Sequence, residues 1–224
     1  MKSRVYASVA ISSVAILLGF TASAQAGPPL ICHPFEIGQA KTLPPVDLNW
    51  KGSGSYELKN LTRDTLAILD SSAPVLVRME TLRRATIYAR QDRQVAKELI
   101  TRLRARADDS DAGLSRALAM FDLGYLAETY KQWMGMGEPN PAAGLDGYAL
   151  IKNAISLRGP DPEMEFAAAL ITLKGPESDH QQHAQKALAG AKNDPLLAQN
   201  LASDFHGQAT SALLTTSAGG GLSK

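Results

Sequence analysis

One pattern, which occurs twice, limits the folds open to this chain more than any other feature. Asp161-Pro162 returns as Asp194-Pro195, and Ala154-Ile155 returns as Ala187-Leu188, each pair 33 residues apart. An Asp-Pro step suits a helix start, because the Asp side chain can accept from free N–H groups of the first turn. Proline at the first helical position loses no hydrogen bond. A segment that closes one helix and opens the next at a fixed interval predicts a pair of helices, used more than once, over residues 147–201.

Apolar residues follow helical spacing from Leu61 onward. Leu61, Thr65, Leu66, Ile68 and Leu69 predict a short helix stopped by Ser71-Ser72-Ala73-Pro74. Val75, Leu76, Met79, Leu82, Thr86 and Ala89 form one stripe of a second helix, with Ser72 as its cap. Val95, Ala96, Leu99, Ile100, Leu103 and Ala107 make a third, paired with the second as a hairpin across Arg90-Gln91-Asp92-Arg93. Further helices are expected over 112–133, 145–157, 163–173, 179–191 and 195–205.

The 33-residue interval, with Ala and a large aliphatic on one helix and Asp-Pro opening the next, resembles the tetratricopeptide (TPR) repeat, as does Leu123-Gly124 in the long helix. The resemblance implies an all-α fold of stacked antiparallel helical hairpins, a TPR-like α-solenoid spanning 61–206. Its concave surface would hold a protein or peptide partner. The run Gly135-Met136-Gly137-Glu138-Pro139-Asn140-Pro141 is longer than the turn of a regular repeat and departs from the family's spacing.

Lys2 and Arg4 precede an uncharged apolar run over 5–20, followed by Ala24-Gln25-Ala26. This predicts a secretory signal peptide over 1–26, cut between Ala26 and Gly27, and a periplasmic or secreted protein. Its removal takes Lys2 and Arg4 and no acid from a chain of 23 basic and 22 acidic residues, which leaves a net charge near −1. Nothing in that balance calls for nucleic acid, and no later stretch is apolar enough to span a bilayer.

Between 27 and 60, Pro28, Pro29, Pro34, Pro44, Pro45, Gly52 and Gly54 predict an extended arm. Leu30, Ile31, Phe35, Ile37, Leu43, Val46, Leu48 and Trp50 are too many apolar side chains for a solvated linker, so the arm is expected to lie on the helices and cap them. Its opening, Ile31-Cys32-His33-Pro34-Phe35-Glu36-Ile37-Gly38, looks like the start of some uncharacterised exported bacterial proteins, a likeness that implies no activity. Ser, Thr and three consecutive Gly predict a disordered tail over 207–224.

Candidate chemistry is sparse. Cys32, the single cysteine, can be a buried small hydrophobe, the link of a disulfide dimer or, with His33, a metal or thiol site. Adjacent side chains of an extended segment point to opposite faces, so Cys32 and His33 share one ion poorly. His180 and His183 lie three apart on one helix face and would need a third ligand from Glu177, Asp179 or His206 to hold zinc; Gln181 and Gln182 stand where HExxH requires its Glu.

Nine basic residues from Arg78 to Arg106 form either a ridge for an acidic protein, a polyanion or an anionic membrane surface, or a solvated helix face. Neither GxSxG nor GxxxxGK[ST] is present, and no catalytic residue and no cofactor is implied. By residue type, Arg83, Tyr88, Arg90, Tyr125 and Tyr130 are the expected contacts for a protein or peptide partner. An exported interaction or assembly module is the expectation. A metal- or thiol-dependent protein and a structural envelope protein are the alternatives.

Overall fold

A computed structural model describes residues 29–47, 49–70, 72–109, 113–134 and 139–204, excepting the side chains of Met134 and Asp204. The expected signal peptide with its cut between Ala26 and Gly27, the tail over 207–224 and Leu48 lie outside the described residues. Among the described residues the elements are α1 (Pro29–Cys32), a 3-10 turn (Leu58–Asn60), α2 (Leu61–Leu69), α3 (Val75–Ala89), α4 (Arg93–Asp109), α5 (Leu114–Met134), α6 (Gly147–Arg158), α7 (Pro162–Thr172), α8 (Glu177–Ala191) and α9 (Pro195–Asp204). The protein is all-α. Adjacent helices pack in pairs, most extensively α5 with α6 and α7 with α8.

Both Asp-Pro steps do what their chemistry dictates. Asp161 Oδ1 accepts from the backbone N–H of Glu163 (3.1 Å) and Met164 (3.0 Å), with Pro162 in the first turn. Asp194 Oδ1 accepts from Leu197 N at 3.0 Å ahead of α9. The other repeated pair matches as well: Ala154 and Ala187 are fully buried, and Ile155 and Leu188 are both partly buried against the core. Asp146 caps α6 in the same way, accepting from Ala149 N at 2.9 Å.

Two helices depart from expectation. α3 is capped by no side chain of its own; Pro74 precedes it, and Leu76 N donates instead to Glu163 Oε2 of α7 at 2.9 Å, so Ser72 does not serve as cap. Nor do α3 and α4 form a close hairpin, since α4 lies chiefly on α5 and α2, and α3 on α5. The reason lies in α3 itself, whose residues are buried on nearly every side, including Arg78, Glu80, Thr81 and Arg83. A helix covered on one face by α5 and on another by the arm has no solvent side left for a neighbour to spare.

The arm begins with a single helical turn and then runs irregularly. Leu30 and Ile31 are fully buried, with Phe35 and Leu43 nearly so, and Phe35 meets Phe166 of α7 edge to face at 6.0 Å between ring centroids. Its polar groups are claimed by the helices. Leu30 N donates to Gln132 Oε1 and Phe35 N to Glu80 Oε2, while the carbonyls of Ile31 and Leu43 accept from Arg83 and Arg84. Asn200 of α9 grips Glu36 with two bonds of 2.9 Å, one to its N–H and one to its carbonyl. Such pairing lets irregular backbone be buried without loss. Trp50 is the exception to the expected burial, 42% exposed at the far end of the arm.

Close approach at two glycines sets the spacing of the helix pairs. A Cβ on Gly124 of α5 would lie 2.7 Å from the carbonyl oxygen of Gly147 in α6. A Cβ on Gly190 of α8 would lie 2.2 Å from Pro162 Cβ in α7. Any larger residue would force these helices apart.

Candidate functional site

Of the residues expected from their type to meet a partner, four lie inside the fold. Arg83, Tyr88, Tyr125 and Tyr130 are buried, which corrects that expectation for these four: their bulk and polar tips serve internal packing. Tyr130 donates to the Ala96 carbonyl at 3.2 Å, and Tyr88 accepts at its hydroxyl from Ser53 N at 2.9 Å, tying the arm to α3. Arg90 alone is exposed, its guanidinium 4.7 Å above the ring of Trp133.

The run of basic residues does not make one ridge. Arg78 Nη1 meets the buried Asp122 at 2.7 Å, and Arg106 reaches the same carboxylate at 3.3 Å. Arg83 and Arg84 both bind the buried Glu80, at 2.7 and 2.6 Å. Arg90, Arg93, Lys97, Arg102 and Arg104 remain on the surface.

Cys32 and His33 sit half-buried at the end of α1. Burial pushes the Cys32 thiol up, against the weaker pull of Arg83, so the reactive thiolate is disfavoured. His180 and His183 do not converge on one ion, because His180 Nδ1 lies 2.9 Å from the carbonyl of Ala169 while His183 spends both ring nitrogens elsewhere. Among the described residues no group of three or more His, Cys, Asp or Glu is placed to hold a metal; His206 lies outside them.

What the fold does assemble is a polar cluster drawn from three helices. His183 of α8 contacts Glu165 Oε2 of α7 through Nδ1 and Tyr148 Oη of α6 through Nε2, the latter at 2.8 Å. Lys186 Nζ holds the other Glu165 oxygen at 3.1 Å. Lys152 lies 4.4 Å from the centre of the Tyr148 ring, which stands nearly perpendicular to the His183 imidazole, their centroids 5.8 Å apart. Burial raises the Tyr148 phenol above its ordinary value, with Asp179 and Glu165 adding to the effect, so the hydroxyl keeps its proton.

Glu165 and His183 are almost wholly buried, whereas Lys152 and Lys186 are exposed. The cluster forms one end of a groove. A depression of about 340 Å³ lined by Tyr148, Lys152, Asp179 and His183 shares Ile155, Ser156, Glu165 and Lys186 with a second, of about 650 Å³, that continues over Pro160, Pro162 and Ala189.

Apolar contact surface along the groove, with convergent polar groups at one end, suits the capture of a side chain and its polar neighbour. Sequence reasoning reached His183 but not Tyr148 or Glu165, which lie 35 and 18 residues from it. No short-range spacing links them; the two caps at Asp146 and Asp161 that fix the registers of α6 and α7 are the only local signal. Among the described residues no helix is long and apolar enough to cross a membrane. No protein-family model, curated protein or solved structure matches the chain.

Proposed function

We propose that this protein is an exported helical-repeat module that holds a protein or peptide partner in the groove between α6 and α8. The observation that carries the reading is the groove itself, where α6 and α8 border an apolar trough ending at Glu165, Lys186 and Tyr148. The matched environments of Ala154 and Ala187, and of Asp161 and Asp194, support a TPR-like repeat, an architecture whose work is commonly the holding of peptides. The sequence of residues 1–26 supports export.

A photo-crosslinking residue at Ser156, which is exposed in the groove, tests the proposal against the same residue at Arg104, exposed on the remote α4. In cells of the source organism, Ser156 is expected to capture a defined partner that Arg104 does not, and Ala189→Trp, which fills the trough, is expected to abolish capture. Identical products from both positions, or none from Ser156, would contradict the reading.

A further inference from the structure

We propose that the groove takes an acidic segment of its partner, one that lies across α6 with apolar anchors on both sides. The proposal rests on the groove reading above and adds the chemistry of what the groove holds. Ser156 of α6 lines both depressions of the groove and also a third, of about 460 Å³, on the side of α6 towards α5. Met120, Asn153 and Leu157 line that third depression. α6 is therefore a ridge with concave surface on either flank, and a chain lying over Ser156 reaches both.

Both flanks offer apolar contact. Ile155, Pro162 and Ala189 line the trough towards α8, while Leu157, 49% exposed, and Met120 line the flank towards α5. A large aliphatic side chain left that open is stabilised when an apolar anchor covers it.

Charge decides which segment fits. The acids in the trough are already engaged: Asp161 accepts from two N–H groups of α7 and pairs with Arg158, and Glu165 is held between His183 and Lys186. Arg116, on the α5 flank, and Lys152, on the α8 flank, are both exposed and form no ion pair among the described residues. Against these two stands one acid that pairs with no cation, Asp179, half-buried in the first turn of α8, where the helix dipole favours its charge. Carboxylates arriving over either flank meet a cation without an acid, whereas a basic segment is repelled by both. Such a match fixes register and steers the encounter.

Selection on the full chain from a phage-displayed library of short random peptides tests this, with a photo-crosslinking residue at Ser156 to report whether a selected peptide lies in the groove. Peptides captured at Ser156 are expected to be rich in Asp and Glu beside apolar residues. Arg116→Glu and Lys152→Glu are each expected to weaken a captured peptide about fivefold, as when an exposed pair is turned to repulsion, and Leu157→Asp by a similar factor. Arg104→Glu, on the remote α4, is expected to change it less than about twofold. All four side chains are exposed, which keeps the variants folded. Captured peptides without an acidic preference, binding that ignores Leu157→Asp or both charge reversals, or an equal loss in Arg104→Glu would overturn the proposal while leaving the groove as a peptide site. No peptide captured at Ser156 would remove the groove reading, and this proposal with it.

Discussion

Gly147 opens α6 directly against the carbonyl oxygen of Gly124 in α5, so closely that a Cβ at Gly147 would lie 2.5 Å from it. Glu128 of α5 uses the same approach to accept from Tyr148 N at 3.1 Å, capping α6 from outside. In an unobstructed helix, Gly→Ala stabilises by roughly 0.5–1 kcal/mol. Here the sign reverses: Gly124→Ala and Gly147→Ala are each expected to lose about 1–3 kcal/mol by overpacking, read from urea unfolding midpoints. Gly190→Ala, blocked by Pro162, is expected to follow them.

Arg78 and Asp122 are an ion pair with almost no exposure on either side. Arg78→Met strands the carboxylate with only Arg106 beside it, and is expected to cost about 3 kcal/mol near neutral pH. Burial already pushes Asp122 up to about 6, and loss of Arg78 removes a cause that lowers it. Asp122 in the variant therefore protonates more readily, so the cost is expected to be smaller at about pH 5 than at about pH 8. Denaturant unfolding at the two pH values checks this; an equal or larger cost at the lower pH would contradict it.

Glu163 is a carboxyl that burial raises above its ordinary value, against the lowering effect of its bond from Leu76 N. A raised folded value means that the native state binds the proton more tightly than the unfolded chain. Its contribution is thus fully present below the unfolded value of about 4.3 and is lost as pH rises through the folded one. Glu163→Gln keeps an acceptor for Leu76 N and cannot ionise. Its stability relative to the unaltered protein is expected to improve as pH rises from about 4 to about 7. A relative loss over that range would show that the first-turn position of Glu163 in α7, favourable to negative charge, outweighs desolvation.

Glu80 joins arm and helix, accepting from Phe35 N at 3.1 Å while it binds Arg83 and Arg84. Glu80→Ala leaves two guanidinium groups without their carboxylate and is expected to destabilise by about 3–5 kcal/mol. Limited proteolysis is expected to cut between residues 33 and 47 before it cuts the helices. Deleting residues 30–50 is expected to lower the melting temperature sharply, since Leu30, Ile31, Phe35 and Leu43 are core residues.

Much of this architecture is legible in the chain because local chemistry carries it. Asp161 and Asp194 could be read as helix starts from two adjacent residues each, and the apolar spacing of α4 to α9 marks their inner faces without reference to anything distant. Arg78 and Arg83 could not be placed that way. A spacing rule sends arginine to solvent, and only the arrival of Asp122 from α5, 44 residues on, and of the arm over the opposite face makes their burial stable.

Tyr88, Tyr125 and Tyr130 misled for a related reason: a phenol suits a partner surface and a core equally, and long-range packing decides which. The cluster at His183 was half visible. Helical spacing set His180 and His183 on one face, but the groups that complete the site come from α6 and α7.

The proposed function rests on a proposed repeat, in which helix α6 with α7 is used again as α8 with α9 and the groove borders both. A crystal structure of the full chain with its partner tests that repeat most directly, by superposing residues 147–171 on 180–204. α6 is expected to fall on α8 and α7 on α9, with Asp161 over Asp194 at the helix starts and Ala154 over Ala187 in the core. Helices that overlay only after a shift in register, or an Asp-Pro step lying outside the start of its overlaid helix, would contradict it.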